Sequence, residues 1–143
     1  MSNQTATLRN AARIGAVVCF GLTLLVFSLN KPLFPVAVVL AAILGLLGLV
    51  IVILTRRLPE PRWHRVFALV TGISAAAIPI SVVLHNLVYA LCIALFGEGF
   101  WEGSDEPFFF ILAIIVFPAL FVIGVVGSTV LLIRSKAAKT DKQ

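Results

Sequence analysis

His85 is the one imidazole inside the long apolar stretches of this chain. Four acids follow it, Glu98, Glu102, Asp105 and Glu106. Imidazole with carboxylates can hold a divalent cation such as zinc, or form a pH-sensitive latch. The spacing matches no metal motif, so no metal site is assigned and His85 stays the lone candidate ligand. The acids also have a plainer account as capping and solubilising residues of an outer loop. In that account Ser104 is the N-cap of the following helix, and Pro107 sits in its first turn.

His85 also belongs to a polar stripe. Thr71, Ser74, Ser81, His85, Tyr89 and Cys92 fall within about 80° on a helical wheel at about 100° per residue. Polar groups avoid lipid, so the stripe is expected to face protein or water. One reading is routine interhelical bonding, with Ser and Thr bonded to their own backbone. The sharper reading is a polar track through a bundle.

Other chemistries are set aside. There is no Gly-rich phosphate loop, no HExxH and no GxSxG. Ser81 and His85 are one turn apart, which is a weak basis for a nucleophile and its base. The sequence is therefore read as that of a non-enzyme. His64 and His85 lie at opposite ends of one helix, so they do not share a haem, and nothing in the sequence calls for a cofactor. Cys19 and Cys92 lie in apolar runs and read as small buried hydrophobes. With no cysteine in a loop, the chain lacks the marks of tetraspanins and claudins.

The composition says what must position these residues. Of 143 residues, 61% are hydrophobic and 12% charged, and the mean hydropathy is +1.13. A soluble domain is nearer half apolar and a quarter charged. The natural solvent is a bilayer. The net charge of +5 belongs to loops and tails beside apolar runs, so it reads as topology and not as nucleic-acid binding.

Four spans are expected, at about 11–29, 36–54, 66–96 and 107–133, in a single all-α domain. The first lacks a small-x-small cleavage site and is read as a retained helix, with Arg13 snorkelling to the headgroups. The short, proline-containing linker at residues 30–35 makes spans one and two an antiparallel hairpin. The charge-free run at residues 66–97 would be about 48 Å long as a helix, against about 30 Å of hydrocarbon. It must tilt, protrude or bend, and Pro79 near its middle predicts a kink. Pro118 could likewise bend span four. The result is an up-down-up-down four-helix bundle.

Ten of the eleven Lys and Arg lie before span one, between spans two and three, or after span four. The positive-inside rule then places both termini in the cytoplasm, and the general look of the chain is that of a small prokaryotic four-span protein of the plasma membrane. Four of the six acids lie on the opposite face. Trp63 and Trp101 fall at opposite interfaces. The lysines of the tail could touch anionic headgroups.

Small residues mark the packing faces. Ala37, Ala41, Gly45 and Gly48 form a stripe on span two, and Gly124 and Ser128 form a small-xxx-small pair on span four. These faces could meet inside one bundle or between copies of the chain. No Asp, Glu, Lys or Arg lies within the apolar runs, whereas proton-coupled carriers usually keep one there. The leading expectation is an accessory, assembly or structural partner of other membrane proteins, with lipid, such proteins or itself as partners. The alternative is an oligomeric channel or transport component that uses the stripe and an acidic outer mouth. A third is an outer-face pH or metal sensor.

Overall fold

The computed structural model describes residues 2–29, 33–101 and 106–140, and every regular element among them is helical. Glu102, Asp105 and Ser104 lie outside the described residues. Helix α1 spans Ser2–Leu29, α2 Phe34–Arg56 and α3 Arg62–Phe96. A 3₁₀ turn follows at Glu98–Trp101. The last helix begins as α4, Pro107–Ile111, passes through a π segment, Leu112–Val116, and continues as α5, Phe117–Thr140. Four of these helical stretches are long and apolar enough to cross a membrane.

Local chemistry sets the boundaries. Pro35 lies in the first turn of α2, where a missing N–H costs no helix bond. Pro61 stands at the N-cap of α3. Gly97 ends α3 at φ 90°, a left-handed conformation that favours glycine, and its N–H donates to the Ile93 carbonyl. Between those ends α3 runs as one helix through Pro79. In the last helix Pro118 has no N–H to give the Ile114 carbonyl. The π segment lies just ahead of it, where the Phe117 N–H reaches the Leu112 carbonyl five residues back. The widened turn gives the proline ring room.

Small residues bring the helices together. Gly15 of α1 lies against Leu47 of α2, and the Cys19 thiol meets the Leu40 carbonyl at 3.3 Å. Gly48 of α2 and Gly72 of α3 stand back to back, and Gly45 leaves room for the Pro79 ring. Gly124 of α5 lies against the Thr71 backbone, and Gly127 against the Phe67 ring. The core joins all of these helices through Ala12, Ala16, Cys19, Leu44, Ile51, Ala75, Ile78 and Phe121. Phe20 and Phe121 meet at 4.8 Å and link α1 to α5.

The outward faces are apolar as well. Ile14, Leu25, Leu46, Ile53, Val83, Leu87, Ile123 and Val126 all point away from the core. In water such a surface would aggregate; in hydrocarbon it is the ordinary exterior of a membrane protein.

Candidate functional site

Polar side chains concentrate at the two ends of the helices, and the end beyond α3 contains the residues with the most chemistry. His85 Nδ1 lies 3.0 Å from the Glu106 carbonyl oxygen and 3.2 Å from its carboxylate, in a largely buried setting. The Phe110 ring stands 5.6 Å from the imidazole. The same carboxylate caps α4, accepting from the N–H of Phe108 at 2.7 Å and of Phe109 at 3.0 and 3.2 Å. Glu106 therefore ties α3 to the start of the last helix. The cap is Glu106, where the sequence suggests Ser104: the helix starts at Pro107, two residues further on than a cap at 104 would place it, and the proline ring occupies the first position.

The remaining expected site residues that lie among the described ones disperse. Glu98 is exposed on the 3₁₀ turn. Tyr89 stacks on Trp101 at 6.2 Å. Cys92 is a half-buried free thiol. Lower in the stripe, Thr71 donates to the Phe67 carbonyl at 2.9 Å and Ser74 to the Val70 carbonyl, each on its own helix. Ser81 is buried. Among the described residues no group of three or more His, Cys, Asp or Glu could hold a metal ion. The packing residues behave as a set. Ala37, Gly45 and Gly48 are buried on α2, with Ala41 half-buried beside them, and Gly124 and Ser128 are buried on α5.

Glu106→Ala removes an acceptor from two backbone N–H groups and from the His85 ring. The loss expected is about 1–2 kcal/mol of stability, the scale of a lost N-cap, and a thermal melt in detergent measures it. His85→Ala leaves the cap in place and is expected to lower the melting temperature less.

The opposite end holds a second cluster, at which the sequence suggests only topology signals. Arg9 is 4% exposed and Arg13 9%. The Arg9 fork clasps Glu60 in the loop between α2 and α3, with Nη1 to Oε2 at 2.5 Å and Nη2 to Oε1 at 2.7 Å. That pairing holds the Glu60 carboxyl below the usual carboxylate range, first through the Arg9 hydrogen bonds and further through the charges of Arg9, His64 and Arg13. Arg13 does not snorkel outward as expected. It shares a helix face with Arg9, Ala12 and Ala16, and that face is turned into the protein. The signal was present in the sequence. Glu60 is the one acid between spans two and three, and Arg9 and Arg13 are four apart.

These features define an all-helical integral membrane protein with a polar clasp at each end of its helices. Against known family models, curated proteins and solved structures, the chain has no match.

Proposed function

We propose that the chain is an accessory or assembly partner of other membrane proteins and has no chemistry of its own to perform. Its four spans form an up-down-up-down bundle with both termini in the cytoplasm of a prokaryotic cell. One observation supports this reading above others. The glycine faces are spent on packing within the chain, as the Gly48 and Gly72 contact illustrates, and the Thr71 and Ser74 hydroxyls bond their own helix. What the molecule offers outward is a broad apolar surface, which suits lipid and the helices of a partner. A tagged pull-down from native membranes in mild detergent tests it. A stoichiometric membrane-protein partner is the expected result. A chain recovered only with itself counts against it and favours the channel reading. That reading would be established by cation flux in liposomes that falls with His85→Ala or with Glu98 and Glu102 neutralised together.

The contact of His85 with Glu106 favours one further reading, a pH sensor at the acidic end. Protonating the imidazole places a cation against the carboxylate that caps the last helix. The expected result is a pH-dependent melting temperature whose dependence His85→Gln abolishes. An unchanged response in that variant removes the reading.

A further inference from the structure

Two guanidiniums and one carboxylate meet at the basic end, and the carboxylate is already committed. Both oxygens of Glu60 are taken by the two terminal nitrogens of Arg9. Arg13 enters no ion pair among the described residues, and its Nε has no hydrogen-bond partner there although the side chain is more than nine-tenths buried. A guanidinium does not shed its proton in a protein, so burial cannot be relieved by neutralisation.

Other polar atoms around it are also without a partner among the described residues. They are Arg9 Nε, Asn10 Oδ1 and His64 Nδ1. Asn10 lies three residues before Arg13 on the same helix face. His64 and Arg13 both lie near enough to the Glu60 carboxylate to act on it, at the same end of the helices. Two of the four atoms are N–H donors outright. His64 Nδ1 becomes one in its other tautomer, and the Asn10 amide presents its NH₂ when turned over. Buried N–H donors beside more positive charge than one carboxylate can offset call for an oxyanion. A charge left unpaired in such a place is destabilising, and an anion at hydrogen-bond distance removes that penalty.

We infer that Arg13, with Arg9, Asn10 and His64, forms a binding site for an anionic phosphate group at the basic end of α1. The guanidinium fork matches phosphate oxygens two at a time, which an ammonium cannot do. Exposed Arg57, Arg62 and Arg65 at the same end raise the local concentration of anions. The phosphate could be carried by an anionic lipid headgroup or by a dissolved phosphate ion, since both present the same oxygens. This inference does not depend on the accessory reading.

The test is a set of melting curves on the full chain, purified in detergent and stripped of lipid. The probes are phosphatidylglycerol, phosphatidylcholine, inorganic phosphate, and sodium chloride at matched ionic strength. A rise in melting temperature with phosphatidylglycerol or with phosphate, absent with chloride and with phosphatidylcholine, is expected. A rise with phosphatidylglycerol alone identifies a lipid site, and a rise with phosphate as well identifies a site that needs only the ion. In Arg13→Met the rise is lost, and the lipid-free protein melts no lower than wild type, because an unpaired buried charge has been replaced by an apolar side chain of similar length. Arg13→Lys keeps the charge without the fork and is expected to bind on the order of tenfold more weakly. It decides the matter by the same readings if the methionine variant is not recovered. No rise in wild type, an equal rise with phosphatidylcholine or chloride, or an undiminished rise in both variants overturns the inference.

Discussion

Gly48→Leu is expected to force α2 and α3 apart and to destabilise the folded chain by at least about 3 kcal/mol, the upper range for overpacking. A Cβ at this position would stand 2.6 Å from the Gly72 carbonyl oxygen, 2.7 Å from the Ala76 nitrogen and 2.9 Å from the Ala75 Cβ. Two of those atoms are backbone, so no rotamer change relieves the contact and a whole helix must shift. Gly72→Leu meets the same wall from the other side, with its Cβ 2.8 Å from the Gly48 carbonyl oxygen. The two substitutions act on one interface. Once either has separated the helices, the second adds less, and the double variant falls short of the sum. Gly21→Leu is the control, because a Cβ there meets nothing within 4 Å. It is expected to change stability by no more than about 0.5 kcal/mol, as for surface positions in general. Reversible unfolding in mixed micelles measures all four. Equal stability of the Gly48 and Gly21 variants would show that close approach of α2 and α3 does not hold the fold.

The four long apolar helices were legible because hydrophobic length acts through the backbone alone. The stripe of Ala37, Ala41, Gly45 and Gly48 predicts a packing face; Ala37, Gly45 and Gly48 are buried and Ala41 half-buried, and Gly45 and Gly48 meet α3. The π segment was not legible, since Pro118 signals a disturbance without saying how the backbone absorbs it. At Pro79 the sequence likewise did not show that the ring would lie against Gly45 on another helix. The polar stripe was drawn from angle on a wheel, which ignores distance along the axis. Thr71 and His85 are fourteen residues apart, about 21 Å along a helix, so one stripe serves two unrelated tasks. At the acidic end the sequence assembled the right residue types, but the contact of His85 with Glu106 spans twenty-one positions and only folding could bring the two together. At the basic end Arg9 and Arg13 satisfied the positive-inside rule so fully that their shared face with Ala12 and Ala16 drew no second account.

Glu60→Gln is expected to be the most damaging substitution outside the helices. It removes the only negative charge facing Arg9, Arg13 and His64 among the described residues. Breaking a buried pair from one side typically costs about 3–5 kcal/mol, because the remaining charge stays in place without compensation. Glu60 is 21% exposed, and solvent screens part of the interaction, so about 2–3 kcal/mol is expected. Acid should reproduce the effect in the wild-type chain. Folding holds the Glu60 pKa below its unfolded value, near 4.3 for an unperturbed glutamate. The folded state therefore binds fewer protons here than the unfolded one in that range. The stabilisation is present in full above the unfolded pKa, and it drains away as the pH falls through the lower, folded value. Glutamine does not titrate, so the stability gap between wild type and Glu60→Gln should be widest near neutral pH and close in acid. Unfolding at a series of pH values from 7 downward, on both chains in one detergent, checks the amplitude and the sign together. A gap that stays constant into acid would mean that the clasp contributes through its shape and not through its charge.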